Sequence, residues 1–425
     1  MFLLFNALLV PFYPALGLYT LYRRFGQRKS AASLAGQWGV VTTEMRAFGA
    51  SSAPKIWIHA VSVGETVAAK PILAALRHEI PGVAIALSST TDTGHALAKG
   101  LVASGDADAA FYFPLDVPFV LAGVLSALRP DALALMETEL WPNLLHLARK
   151  RGVPTFLLNG RVSDNLLSTA PKLGPLWRWM SGNVSRFLLR GDTDAARLRE
   201  LGVSEHQIEV VGDVKLEAPA VATTQLRSQW RERLRLTDQK LFIAGSTHEG
   251  EEELLLRAVR ALGKPVVLAL APRHLDRVES VARAIEDAGF AVARRSRDEV
   301  PGENAVFLLD TVGELADFYA AGDVAFVGGT LTSRGGHNLL EPVLRGVPVV
   351  FGPSVNNFRA QAALLLEHEL GFQVSDATEL PARLKTLLAG PPRDYAARVE
   401  TVLAPHRGAA TRMARAIADA LRSPR

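Results

Sequence analysis

From Lys55 onward the chain alternates short β-branched or apolar runs with longer stretches of helical period, the pattern of a parallel sheet covered by helices. It predicts strands at Ile56 to Val61, Val83 to Ser88, Ala132 to Met136, Thr155 to Leu158, Arg186 to Leu189 and Ile208 to Val211. After a charged, helix-prone passage, Gln225 to Lys240, the rhythm restarts. The second set of strands falls at Leu241 to Ala244, Val266 to Ala271, Ala305 to Leu308, Val324 to Val327 and Val347 to Phe351. The fold class that follows is α/β, two Rossmann-like domains in succession with a boundary near Ala218 to Arg235. A last run, Gly408 to Leu421, reads as a helix.

Ahead of the first strand the pattern differs. Phe2 to Tyr22 carries no charge and is mostly Leu, Phe, Val, Tyr and Ala, long enough for a bilayer core, which takes about 20 apolar residues. Pro11 and Pro14 kink it, so a tilted or half-inserted anchor fits nearly as well as a full span. Arg23, Arg24, Arg28 and Lys29 follow directly, and such basic flanks stay on the cytoplasmic side. A buried first helix is the alternative, while a cleaved signal peptide lacks its preceding positive charge and its small-residue cleavage site. The division read from this is an anchor with basic flank over 1–30, a first domain over 31–220 and a second over 221–425. A second membrane contact is expected at Leu166, Leu167, Leu173, Leu176, Trp177, Trp179 and Met180, with Lys172 and Arg178 among them; an ordinary buried helix fits equally well.

Composition narrows the function. Hydrophobic residues at 48% against 21% charged are enough for two cores and exclude a largely disordered chain. The 47 basic and 43 acidic residues leave a formal charge of only +4, which does not indicate a nucleic-acid binder. The absence of cysteine rules out disulfides, thiolate zinc sites and cysteine nucleophiles.

In an open parallel sheet ligands bind beyond the carboxyl ends of the strands, and here those ends are unusually polar. Ser62-Val63-Gly64-Glu65 follows the first strand and opens a helix, placing Glu65 where it can take a proton from an acceptor hydroxyl or simply complement the helix dipole. Glu137-Thr138-Glu139-Leu140-Trp141-Pro142-Asn143, Asn159-Gly160-Arg161-Val162-Ser163 and Gly212-Asp213-Val214-Lys215 close three further strands. The second half offers Gly245-Ser246-Thr247-His248-Glu249, Pro272-Arg273-His274, Thr311-Val312-Gly313-Glu314-Leu315, and Gly328-Gly329-Thr330 followed by Gly335-Gly336-His337-Asn338-Leu339-Leu340-Glu341-Pro342. Glycines let backbone amides approach a phosphate, a helix start favours an anion, and Arg273 adds a forked donor. Glu341, about one helical turn on, suits a ribose diol. A capped glycine-rich turn is the plainer reading, and His274 and His337 each read as solitary turn histidines. No metal-ligand spacing, dinucleotide fingerprint or P-loop is present, and no metal is expected.

At these residues the sequence resembles the 3-deoxy-D-manno-octulosonic acid (Kdo) transferases, glycosyltransferase family 30, over nearly its whole length. The matching stretches are the apolar amino terminus, His59 to Glu65, Met136 to Asn143, Asn159 to Ser163, Gly212 to Lys215, Gly245 to Glu252, Ala271 to His274, Gly313 to Leu315 and Gly336 to Pro342. The resemblance implies two Rossmann-like domains facing a central cleft (the GT-B type), with the final helix crossing back to the first. It implies CMP-Kdo as donor, a lipid A precursor (a tetraacyl glucosamine disaccharide bisphosphate) as acceptor, and attachment through inner-membrane lipids with the body on the cytoplasmic face. By the same resemblance Glu65 is the proton acceptor, Glu137 and Lys215 match transition-state stabilisers, and Pro272, Arg273, Gly313, Glu314, Leu315, Asn338 and Glu341 match the CMP site. Whether Glu137 acts on the sugar centre or orients Lys215 is left open by the sequence. A lipid-directed transferase using a UDP-sugar and a membrane-tethered nucleotide-binding protein are the other readings.

Overall fold

The computed structural model describes residues 1–12, 15, 22, 30–217, 223–263 and 265–422. The chain forms two compact units: Met1–Glu217 with His406–Arg425, and Ala218–Pro405.

The first unit is built on a seven-stranded, wholly parallel sheet: β1 (Lys55–His59), β2 (Ala84–Ser89), β3 (Ala109–Tyr112), β4 (Ala132–Met136), β5 (Thr155–Gly160), β6 (Arg186–Leu189) and β7 (Ile208–Val210). Their order is β3-β2-β1-β4-β5-β6-β7. Helices cover both faces, so the inner strands are apolar at nearly every position; Ile56, Trp57 and Ile58 are fully buried in succession. The one polar atom of that run, the Trp57 indole N–H, donates to Ser88 Oγ at 2.7 Å.

The last helix, Ala409–Arg422, lies in this unit and packs on the helix Val63–Glu79 that follows β1. Met413 and Ile417 enter the same core as Ile58, Ile72 and Leu76, each burial contributing about 1.5–3 kcal/mol. The start of the last helix is capped from a distance. Glu217 accepts from the amides of Gly408 and Ala410, both at 3.0 Å.

The second unit repeats the plan with β8 (Lys240–Thr247), β9 (Val266–Pro272), β10 (Ala291–Arg294), β11 (Ala305–Leu308), β12 (Val324–Val327), β13 (Val349–Phe351) and β14 (Gly371–Gln373). The order is β10-β11-β9-β8-β12-β13-β14, all parallel. Three strands escape the sequence pattern: β3, β10 and β14. Each is a sheet edge with Ala, Gly or a polar residue where an inner strand would carry Val, Ile or Leu.

The amino terminus departs from a simple span. Phe2–Leu9 is helical, Val10–Phe12 is a single tighter turn, and among the described residues no helix is long and apolar enough to cross a membrane. Residues 13, 14 and 16–21 of the expected anchor lie outside the described residues, as do Arg23, Arg24, Arg28 and Lys29. One side of the short helix packs on the first unit: Phe2 stacks on His146 with ring centroids 4.3 Å apart, Phe5 meets Trp179, and Asn6 donates to Asn143 Oδ1 at 2.7 Å. Leu3, Leu4, Leu8 and Phe12 are exposed. In the second expected membrane contact, Trp177 and Met180 belong instead to the core, the Trp177 indole donating to Leu201 O at 2.8 Å. A helical pair must bury one face, and these residues form it; Lys172, Leu173 and Arg178 remain exposed.

Candidate active site

In the first unit strand order reverses at β1, which lies between β2 and β4. Open α/β sheets bind ligands at such a switch point, and Glu65 and Glu137 stand beyond these two strands. Ser62 caps the helix Val63–Glu79 and Glu65 occupies its first turn. The Glu65 carboxylate accepts the Val61 N–H at 2.8 Å through Oε2 and the Ser62 hydroxyl at 3.4 Å through Oε1. This is close to a capping box, so the structural role is real. It leaves acceptor capacity on both oxygens, because a carboxylate has about four lone-pair sites. Burial pushes the Glu65 pKa up to about 7; the Val61 amide opposes this, Glu137 and Glu139 add to it, and Lys215 opposes it. Glu65, Glu137, Glu139 and Lys215 thus share one electrostatic neighbourhood.

Glu137 has φ of 56°, a left-handed conformation that disfavours a side chain. The fold holds it there: its N–H donates to Leu158 O at 2.8 Å and its carbonyl accepts from Arg161 N at 3.2 Å. The side chain so aimed forms an ion pair with Lys215 Nζ. The lysine's loop is fixed in turn by fully buried Asn159, whose Oδ1 accepts the Val214 N–H at 3.1 Å. Asp213 Oδ1 accepts the Lys215 N–H at 2.9 Å, and Arg190 pairs with the same carboxylate.

Asp116 was not visible as a site residue. It accepts the N–H groups of Asn143 and Leu144 at 3.0 and 2.9 Å, capping the helix Pro142–Lys150, and burial pushes its pKa up to about 6. The only sequence signal is indirect: Trp141 precedes Pro142 where a capping residue belongs, so the cap must come from elsewhere.

In the second unit β8 lies between β9 and β12; Gly328-Gly329 follows β12, while Gly245 lies within β8 itself. A Cβ at Gly328 would stand 2.2 Å from Ser246 O, so only glycine allows this approach. The expected use of the loop amides is overturned. Fully buried Glu251 accepts from Gly329, Thr330 and Leu331 at 2.7, 3.1 and 3.0 Å, and from His248 N at 3.0 Å. The Gly335 amide donates to Ser354 Oγ and that of Gly336 to Gly329 O. Buried amides must find partners, and the fold supplies them internally, leaving none of these six for a phosphate. Nor do Gly335 and Gly336 open a helix: their φ values of 83° and 78° are left-handed, and the helix runs Leu340–Leu344.

What remains available are side chains. Arg273 is exposed and makes no ion pair among the described residues, while its N–H ties the end of β9 to Thr247 O at 3.0 Å. Pro272, beside it, is buried at the strand end. Asn338 donates to Glu341 Oε1 at 3.2 Å and accepts the Leu340 N–H at 3.2 Å. Burial raises the Glu341 pKa, opposed by Asn338 and Arg273, so Arg273, Asn338 and Glu341 come together. Leu315 approaches Gly245 and packs in the adjacent core. Glu314 is committed elsewhere, to Arg295 at 2.9 Å and to the Thr311 hydroxyl, and fixes the Gly313 turn. His274 and His337 are not solitary. His248 and His337 join Nε2 to Nε2 at 2.8 Å with nearly parallel rings, and His274 meets His248 edge-on at 5.7 Å.

The arrangement supplies a half-buried carboxylate with a raised pKa in one unit and a cluster of Arg273, Asn338 and Glu341 in the other. Residues 23–218 match the family described as 3-Deoxy-D-manno-octulosonic-acid transferase (kdotransferase). The 3-deoxy-D-manno-octulosonic acid transferase of Bordetella pertussis is 34% identical, covering 95% of this chain and 99% of its own. That of Haemophilus influenzae is 34% identical over 80% of this chain and 81% of its own. The crystal structure of UDP-GlcNAc 2-epimerase from Neisseria meningitidis bound to UDP-GlcNAc superposes with a TM-score of 0.55 at 15% identity, covering 86% of this chain and 99% of that one. This last likeness is one of fold alone. With acid and cation sets at matching switch points and relatives of this identity along most of its length, the chain belongs to the Kdo transferase family of glycosyltransferases.

Proposed function

We propose that the protein transfers Kdo from CMP-Kdo to the tetraacyl lipid A precursor, in a single displacement with inversion at the anomeric carbon. The observation that carries this reading is the Glu65 carboxylate: half-buried, ionising near neutrality, and beside the Glu137–Lys215 pair at a switch point. A base works best when its pKa lies near the working pH. Glu65 takes the proton of the acceptor hydroxyl as that oxygen attacks the sugar. Lys215, held by Glu137, offsets developing negative charge, and Glu137 in turn favours a sugar centre that becomes positive. In the second unit Arg273 meets the nucleotide phosphate and Glu341, steadied by Asn338, accepts from the ribose hydroxyls; this reading assigns no metal. Pro272, Gly313, Glu314 and Leu315 shape the floor of the nucleotide site.

The acceptor is a lipid, and the exposed Leu3, Leu4, Leu8 and Phe12 support attachment to the cytoplasmic face of the inner membrane. Deleting Met1–Tyr22 should leave CMP binding intact and depress activity on vesicle-embedded acceptor; full activity in vesicles would remove the anchor. The reaction itself is tested by mass spectrometry of the tetraacyl acceptor after incubation with CMP-Kdo and the full-length protein. A mass gain of one or more Kdo units is expected. Transfer from a UDP-sugar but not from CMP-Kdo would overturn the donor assignment.

A further inference from the structure

Two half-buried imidazoles in the second unit are joined Nε2 to Nε2 at 2.8 Å, and neither belongs to the machinery described so far. An N–H···N bond holds one proton: one ring nitrogen donates and the other accepts. The two rings come from residues 89 positions apart, and one carboxylate ties down backbone in both segments. Glu251 accepts the His248 N–H and also the amides of Gly329, Thr330 and Leu331, at the head of the loop that carries His337. The pair is therefore positioned as a unit.

The surrounding charge is one-sided. Arg273, Arg277, Arg334 and the His274 ring face the pair. The acids nearest to it are occupied: Glu251 by four amides, and Glu252 by the Arg277 guanidinium at 2.9 Å and the Thr247 hydroxyl at 2.8 Å. The amides of Gly329, Thr330, Leu331, Gly335 and Gly336 are already bonded within the fold. Arg273 and Arg334 face the pair, and neither they nor the imidazoles enter an ion pair among the described residues. Burial, His248, Arg273 and His274 together lower the His337 pKa to about 4, and burial with its cationic neighbours lowers that of His248. The pair is thus neutral overall near pH 7, and an arriving phosphate reverses the field and draws one further proton onto it, leaving an imidazolium bonded to a neutral ring.

Resting on the assignment of a cytidine monophosphate-activated sugar as donor, we propose that the His248–His337 pair is the acid on the leaving-group side. It contacts the nucleotide phosphate and protonates its departing oxygen. The acceptor oxygen forms its bond to the anomeric carbon and loses its proton to Glu65. The bond from the anomeric carbon to the phosphate oxygen breaks, and its electron pair stays on that oxygen. The oxygen takes a proton from the protonated pair. Solvent then removes one proton from Glu65 and returns one to the pair.

The test uses full-length protein labelled with ¹⁵N at histidine, with CMP as the probe. Titration with CMP near pH 7 should move the ring ¹⁵N signals of the pair from neutral toward imidazolium positions by the equivalent of one added proton, with assignments made from His248→Gln and His337→Gln. Turnover of CMP-Kdo should fall as pH rises above the bound pair's pKa. Each variant should lose that alkaline limb together with about 10²-fold in turnover, the scale of one acid catalyst. A pair that merely staples the loop predicts an unchanged pH profile. CMP binding with no change in either ring's protonation overturns the proposal, and this needs only the wild-type chain. So does an alkaline limb that survives in a folded variant. Absence of CMP binding overturns the donor assignment as well, which separates the two failures.

Discussion

The two units place their chemistry at the same topological point and do opposite things with it. In the first, the switch point between β1 and β4 gathers carboxylates, Glu65, Glu137 and Glu139, against one lysine. In the second, the point between β8 and β12 gathers guanidinium and imidazole groups, and its buried acids are already engaged, Glu251 by backbone amides and Glu252 by Arg277 and Thr247. Burial, with Glu137 and Glu139 adding to it, raises the Glu65 pKa toward neutrality. Burial, with cationic neighbours adding to it, keeps the two imidazoles neutral until an anion arrives. One scaffold supplies both environments, and the sign of the neighbours reinforces what burial begins. Asp116 and Glu251 mark the shared part of the design, each being a carboxylate that accepts backbone N–H groups, Asp116 those at the start of the helix Pro142–Lys150 and Glu251 those in the loop after β12.

The sharpest way to break this comparison is to neutralise the first unit's base alone. Glu65→Gln keeps shape and hydrogen bonding, so turnover should fall about 10²-fold or more while CMP affinity, which the proposed function assigns to the second unit, should stay near the wild-type value. Steady-state kinetics and calorimetric titration on one preparation check both. A carboxylate that serves only as a helix cap contributes about 0.3–1 kcal/mol to stability and would leave turnover per folded molecule nearly intact. More than about a third of normal turnover at saturating substrates is incompatible with the loss expected for a general base.

The converse substitution addresses the second unit. Arg273→Ala and Glu341→Ala should weaken CMP binding and leave acceptor affinity almost unchanged. Removing a charged hydrogen bond costs about 1.5–3 kcal/mol, or roughly 10-fold to over 100-fold in affinity. Calorimetry reads the effect, with acceptor KM as the control. Unchanged CMP affinity in both folded variants would remove the nucleotide from this unit and dissolve the division of labour.

How much of this was legible depends on how far apart the causes lie along the chain. The inner strands were readable because burial on both faces demands continuous Val, Ile and Leu. Ala109-Ala110, Ala291 and Gly371 sit in edge strands, where one neighbour suffices and the pattern fades. Glu65 and Glu137 were conspicuous because a short polar cluster follows an apolar run. The ion pair between Glu137 and Lys215 bridges 78 positions and has no local signature. For the same reason His337 looked solitary, and the glycine-rich loop looked like an anion cradle when its amides were already bonded to Glu251. Spacing identifies residues that end strands, but not which of their hydrogen-bonding groups remain free.

The subtlest test asks whether Glu65, Glu137 and Lys215 act as one electrostatic unit. Glu65 must be ionised to accept a proton, so kcat/KM should rise with pH through about 7, where burial and its neighbours place its pKa. The same raised pKa has a stability counterpart of opposite sense. With the folded value above the ordinary 4.5, the contribution of protonated Glu65 is fully present below about pH 4.5 and is lost as pH rises through about 7. The site gains its base as the fold loses that contribution, and Glu65→Gln should abolish both dependences. The neighbours then set the position of the limb. Glu137 raises the Glu65 pKa and Lys215 lowers it, so Glu137→Gln should move the acid limb to lower pH and Lys215→Met should move it higher, whatever each does to absolute turnover. Profiles of kcat/KM from pH 5 to 9 in low salt, where charge coupling is least screened, read the two displacements directly. Limbs that stay in place in both variants would mean that the group titrating near neutrality is not Glu65, and the base would have to be sought elsewhere in the first unit.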